Sequence, residues 1–517
     1  MEKERNVCIV GAGISGLLAC KYALAKGYHP LGFESQNTIG GAWTQTVETT
    51  KLQTPKFLYQ FSDFVWPSSV ETLYPKKDQV FDYIQSYAKY FDLLKHFRFN
   101  TKVVSIKYEG TSHEEIQSWA LWGGNGHPFG GNGKWIVTAQ DLLNQSIKEY
   151  EVDFVILCVG KFTGLPNKPE FPIGKGPEVF EGKVLHAMEY AALDDESARD
   201  LVKGKHVIVV GFQKYALDIA TECSIANEVE HPCTVLYRTP HWHMPDQFPW
   251  GIAIGYLYLN RFSELLVHKP GEGLLLYFLA CILSPLRWGI SKLVELYIKR
   301  KLPLKKYGVI PKHSFLLEMN SCGISTVPKG FYENVEKGSI ILKKSPNTIS
   351  FFKEGVVLDE HEYVKSDLVI LATGFNGDQK LKDIFESQTF QDYIYGSSKD
   401  SVPLHRECIH PRIPQLAIIG YSESISNLFT SEMRCRWLFE FLDGKFKLPS
   451  IQEMEKGILE CDKYMKRYSG KYYRKSCIGA LHVWYNDQLC KDMGLNPMRK
   501  NGFWAELFDP YGPMDYV

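Results

Sequence analysis

The chain has 517 residues, 44% hydrophobic and 23% charged, the balance of a globular protein with room for two or three domains. Lysine plus arginine equals aspartate plus glutamate at 59 each, so bulk charge argues for neither a nucleic acid nor an acidic surface as partner. The 12 cysteines form neither a C-x-x-C pair nor a Cys/His cluster at metal-ligand spacing, which predicts reduced, buried thiols and no metal.

MEKERN at the start runs straight into VCIV (7–10), so a buried strand rather than a signal peptide is expected there. GAGISG (11–16) follows, and LLACKYALAKG continues as a helix. Gly11 permits the tight turn, Gly13 lets backbone approach a pyrophosphate, and Gly16 lets helix pack on strand. Ala12, Ile14 and Ser15 complete a turn whose N–H groups and helix dipole face phosphates. The next strand, HPLGFE, ends at Glu34, where a carboxylate suits ribose hydroxyls. This is a full adenine-dinucleotide fingerprint.

FVILCVGKFTG (154–164) reads as a buried strand that breaks at glycine, and LVILATGFNGD (368–378) repeats the pattern. Between them lies VIVVGFQKYALDIA (207–220), a second strand–turn–helix. Here Gly211 keeps the tight turn and Ala216 replaces the third glycine, with Phe212 between strand and turn. Gln213 stands at the middle position, where its Cβ is expected to crowd a pyrophosphate, and Lys214 offers compensating charge. CTVLYR ends at Arg238, where the first unit has Glu34; an arginine grips a 2′-phosphate that a carboxylate repels. The first unit therefore suits FAD and the second NADPH. A degenerate unit that binds nothing is the alternative for the second.

Residues 274–286, LLLYFLACILSPL, are apolar but only 13 long, too short as a helix for a hydrocarbon core of about 30 Å, and Pro285 is expected to end them. A buried helix in an inserted subdomain is the first reading. A helix lying on an anionic membrane is the second, given the basic residues between Lys299 and Lys306.

FEGKVLHAMEY (180–190) fits F-x-G-x-x-x-H-x-x-x-Y through Phe180, Gly182, His186 and Tyr190. It resembles the signature of flavin-dependent monooxygenases of the class that includes Baeyer–Villiger enzymes, with Tyr190 in the manner of the N- and S-oxygenating branch. IGGAW (39–43), TTKLQTPKFLYQFSDFVWP (49–67), YRTPHWHMPD (237–246), KLPLKKYG (301–308), IGYSESISNLFTSEMR (419–434) and ELFDPYGPMDY (506–516) are similar to plant flavin-containing monooxygenases.

The resemblance spans nearly the whole chain. It implies an α/β fold of two Rossmann-like dinucleotide-binding domains, the NADPH domain inserted into the FAD domain. The expected division is 1–170 for the first part of the FAD domain, 171–359 for the NADPH domain with a helical insert at about 250–308, and 360–517 for the remainder. It implies FAD on Gly11, Gly13, Gly16, Glu34, Gly41 and Trp43, NADPH on residues 211–216 and Arg238, and Gln53 near the flavin ring, where relatives commonly carry Asn. Tyr215 stands where they usually carry serine.

The implied chemistry reduces the flavin with NADPH, adds O₂ as a C4a-hydroperoxide, and passes one oxygen to a soft nucleophile. Nitrogen of a small amine or alkaloid-like metabolite is the first expectation. A thioether, a ketone or an uncoupled NADPH oxidase are the alternatives. His186 and His405 are expected to serve structure rather than proton transfer.

Overall fold

The computed structural model describes residues 5–131, 133–345, 349–359, 361–395, 402–472 and 477–516. Two five-stranded parallel sheets organise it. The first runs Leu416–Ile418, Phe154–Leu157, Asn6–Val10, His29–Phe33, Phe97–Arg98. The second runs Ile340–Lys344, Cys233–Tyr237, Val207–Val210, Leu368–Leu371, Lys183–His186. The inner strands are apolar on both faces (VCIV, FVIL, VIVV and LVIL), as helix-covered parallel strands require. Because the first sheet takes strands from both ends of the chain and the second lies wholly between them, one Rossmann-like unit is inserted into the other.

One boundary moves. Leu368–Leu371 does not rejoin the first unit; it pairs with Val207–Val210 on one side and Lys183–His186 on the other, inside the second sheet. The inserted unit thus ends after residue 371 rather than at 359. The two glycine exits run side by side: Asn167 N donates to Gly374 O at 2.9 Å and Asn376 N to Leu165 O at 2.9 Å. Lys380 fastens them by donating to Val159 O (2.6 Å) and Thr163 O (2.8 Å), and burial pulls its ammonium down to about 8.

The segment expected to end at Pro285 is instead the first half of a 28-residue helix, Leu274–Lys301. Proline removes the N–H that would bond the carbonyl of residue 281, and Ser284 Oγ donates to that carbonyl at 3.2 Å in its place. The reading of 274–286 as buried is also corrected. Ala280, Arg287, Ser291, Val294 and Ile298 share the docked face, while Leu274 (79%) and Ile282 (71%) are among the exposed side chains opposite. Arg287 Nη2 donates to Asn320 Oδ1 at 2.8 Å, and Glu295 Oε1 accepts from Phe315 N at 3.0 Å, so the helix is moored along its second half.

The expectation of wholly reduced thiols fails at one pair. Cys322 and Cys477 are disulfide-bonded across 155 residues, and ten cysteines are free. Thiol titration of the denatured, unreduced chain should count ten groups, rising to twelve after reduction; an initial count of twelve would show the pair open.

Candidate functional site

The two glycine turns are built alike. Gly11 has φ +104° and its N–H donates to Phe33 O at 2.7 Å; Gly211 has φ +141° and donates to Leu236 O at 2.8 Å. A Cβ on either would stand 2.6 Å from the carbonyl oxygen of a neighbouring strand exit, Cys158 or Ala372. Glycine is required at both. Gly13 and Gln213 are the corresponding N-caps, both extended and neither closing its helix with a side-chain bond, so the first-turn N–H groups stay available. Gln213 has φ −109°, which any residue adopts, so its Cβ leaves the turn intact. Ala216 is fully buried behind this turn.

The first turn fits a pyrophosphate. A Cβ on Gly41, which has φ +56°, would lie a tight 3.1 Å from Gly13 Cα, whereas one on Gly13 would make ordinary contact with Gly41 Cα at 3.5 Å; the two glycines face each other across the cradle. A Cβ on Gly16 would come within 1.8 Å of Gly11 O. Glu34, at the end of its strand, accepts from Ala12 N at 2.7 Å on Oε2 and from Gln36 N (2.8 Å) and Ser35 Oγ (3.2 Å) on Oε1; Oε2 keeps a second lone pair for a ribose hydroxyl. Ile14 opens the helix. Ser15 turns to the helix Asn427–Leu442, with Oγ 3.2 Å from Ser431 Oγ. Trp43 Nε1 donates to Tyr59 Oη at 2.8 Å, fixing the indole beside this turn.

In the second unit Phe212 stacks on Tyr237 at 4.8 Å, and its carbonyl pairs with His243 Nε2 at 3.0 Å. Burial drives the His243 imidazole down to about 4. Arg238 is exposed at the carboxyl end of Cys233–Tyr237, next to the Gly211 strand. Lys214, expected to offer charge to phosphate, lies 2.5 Å from Asp218 Oδ1 one helical turn on. Burial nevertheless raises the Asp218 carboxyl above its ordinary range. The ammonium is thus already partnered. Tyr215 does not merely remove a small hydroxyl: its Oη donates to Gln45 O at 2.8 Å, and burial pushes it up to about 12.

That bond belongs to a seam between the units. Thr50 Oγ1 donates to Asp218 Oδ2 at 2.9 Å, and Glu222 Oε1 accepts from Thr49 N at 2.9 Å. Tyr190 Oη donates to Glu222 Oε2 at 3.2 Å, which gives the last motif position its work. His186 caps the next helix, accepting from Met188 N at 3.1 Å through Nδ1, and burial lowers its pKa. His405 is pressed down to about 3 by burial.

Gln53 lies at the end of the seam. Its Oε1 accepts from Thr326 N at 3.1 Å and its main-chain carbonyl from Gln247 Nε2 at 3.0 Å. Thr326 therefore orients the side-chain amide, while Gln247 holds the main chain of the same residue. With its oxygen engaged, Nε2 is the group presented as donor. Of Asp218, Glu222 and Lys380, only Asp218 carries a sequence signal, its i, i+4 spacing from Lys214. Spacing also missed a carboxylate clamp, in which Glu318 takes His241 Nδ1 at 2.9 Å and His313 Nε2 on its two oxygens. Burial works against the Glu318 charge, but the two imidazoles outweigh it and hold the carboxyl at about 2.

A family model described as FMO-like, flavin-binding monooxygenase-like, matches residues 4–511. The chain belongs to this family. A probable flavin-containing monooxygenase 1 of Arabidopsis thaliana is 40% identical over 515 residues, covering 99% of this chain and 96% of the relative. Solved structures share the fold at lower identity. The S-allyl-L-cysteine S-oxygenase of Allium sativum aligns with TM-score 0.57 and 17% identity, over 95% of this chain and 89% of its own. OTEMO, solved in complex with FAD and NADP, aligns with TM-score 0.66 and 16% identity over 95% and 98%. This flavin-binding monooxygenase-like chain therefore has the two-domain architecture that the resemblance implied.

Proposed function

We propose that this family member is an FAD- and NADPH-dependent monooxygenase that oxygenates a soft nucleophile, first of all nitrogen in a small amine or alkaloid-like metabolite. The observation that carries the reading is the pairing of two intact dinucleotide turns across the 45–53 seam, with the Gln53 amide fixed at its end. Gly11, Gly13, Gly16, Glu34, Gly41 and Trp43 would hold FAD; the 211–216 turn and Arg238 would hold NADPH. Bound flavin supplies hydride acceptance and oxygen activation. The chain's own tasks are to orient the nicotinamide through the second turn, to donate a hydrogen bond from Gln53 Nε2, and to exclude water. S-oxygenation of a thioether is the second reading, favoured by the fold shared with the garlic enzyme. Purified protein should consume NADPH faster with an amine substrate and yield a product heavier by one oxygen. NADPH consumption matched by equimolar H₂O₂ under every substrate would sink the proposal.

Arg238→Ala should cost NADPH about 10- to 150-fold in affinity, the scale of about 1.5–3 kcal/mol for a charged hydrogen bond. NADH, lacking the 2′-phosphate, should be unaffected. Equal losses for both nucleotides in a KM comparison would assign the arginine a structural part.

We further propose cytoplasmic residence with peripheral contact at a membrane such as the endoplasmic reticulum surface. The 274–301 helix, at about 1.5 Å per residue, is long enough to cross a bilayer, yet its moored face keeps Arg287 and Glu295 in the protein. Its exposed apolar row and the basic residues from Lys299 onward support a helix lying flat on an anionic surface. High salt and alkaline carbonate should release the protein; retention through carbonate with release by detergent would mean a spanning helix.

A further inference from the structure

Cys281 is exposed on the outer side of the 274–301 helix, whereas the other free cysteines are buried or half-buried. Its Sγ lies 3.7 Å from Nε2 of His268, whose Nδ1 is 2.7 Å from Glu272 Oε1. With Nδ1–H donating to the carboxylate, Nε2 turns its lone pair to the thiol. The imidazole and carboxylate are 8% and 5% exposed, so this orientation is sheltered from water. The His268 N–H donates to Tyr468 Oη at 2.6 Å, that hydroxyl donates back to His268 O at 3.1 Å, and the Tyr277 ring packs 4.8 Å from the imidazole. Nucleophile, base and orienting carboxylate within reach of one another make an activated-thiol arrangement. The oxygenation reading makes no use of it.

What surrounds the thiol says which electrophile suits it. Leu274, Phe278, Ile282, Pro285 and Trp288 are exposed at helical spacing on its side of the helix. We propose that Cys281 is an S-acylation site that takes a long-chain acyl group from an acyl thioester. The Cys281 sulfur bonds the acyl carbonyl carbon, and the carbon–sulfur bond to the donor breaks. The proton taken up by His268 Nε2 passes to the departing thiolate, and nothing is oxidised or reduced. The chain then lies along the apolar row, adding a second anchoring signal to the helix. The proposal deepens the membrane-surface reading, although its chemistry requires no membrane.

Purified full-length, flavin-loaded protein is incubated with octanoyl-CoA or palmitoyl-CoA and followed by intact mass and peptide mapping. One acyl group per chain on Cys281, released by neutral hydroxylamine, is expected. Cys281→Ser should take none while keeping its flavin and NADPH oxidation. His268→Ala should slow acylation about a hundredfold, with partial rescue by added imidazole, and Glu272→Gln should slow it less. No acylation, acylation elsewhere, or an unslowed and fully flavinated His268→Ala overturns the site. The octanoyl arm is read in solution. Failure of the acylated protein to stay on salt-washed anionic vesicles would strike the membrane reading alone.

Discussion

Gly13→Glu should purify colourless, with no bound flavin and no NADPH oxidation. The residue is the extended N-cap of the first nucleotide helix, and its missing side chain faces Gly41 Cα across the phosphate cradle. A glutamate would fill that space and set a negative charge against the pyrophosphate, opposing the helix dipole that should attract it. The backbone itself tolerates the change, since φ is −73°. The fold should survive, which circular dichroism can verify. A yellow variant with full flavin content would move the FAD site elsewhere. Gly16→Ala should fail differently, by folding poorly, because its Cβ would overlap Gly11 O.

Arg261→Ala should destabilise the insert and the C-terminal segment together, by about 3–5 kcal/mol, as expected when a buried ion network loses its cation. The guanidinium is 10% exposed and bonds Glu506 Oε1 through Nε (2.9 Å), Pro497 O through Nη2 (2.7 Å) and Asp487 through Nη1. Removing it leaves Asp487 without its cation, while Glu264 keeps Lys269 and Glu506 keeps Tyr511 Oη and Lys500 N. Arg261→Lys should recover part of the loss, since one ammonium cannot span every acceptor. Chemical denaturation and limited proteolysis of residues 495–516 measure the effect. A wild-type midpoint and cleavage rate for Arg261→Ala would show the network to be dispensable.

The first dinucleotide turn was legible because its chemistry is local: strand, GAGISG, helix and Glu34 occur in one continuous stretch. The second was legible in position but not in detail. Sequence weighs Gln213 by its Cβ against a pyrophosphate, and cannot show the extended φ that leaves the turn itself intact; it assigns Lys214 to phosphate without seeing Asp218 beside it. Leu368–Leu371 was legible as a strand but assigned to the first unit, because it enters a sheet whose other members lie far back in the chain. Pro285 looked like a stop because Ser284's compensating bond is a side-chain matter. Contacts at long separation left no trace: neither Cys322–Cys477 nor the meeting of Gln53 with Thr326 has a local signature.

Tyr215, Asp218 and Glu222 lie one turn apart along a single face of the helix Lys214–Asn227, and each is tied to residues 45–50. Three tethers in a row resist sideways sliding of the inserted unit, which must break all of them. The Cys322–Cys477 disulfide and the Gln53–Thr326 bond join the same two units elsewhere, so rotation about that row is restrained as well. The amino end of this helix is therefore held at a set distance and a set angle toward the first turn.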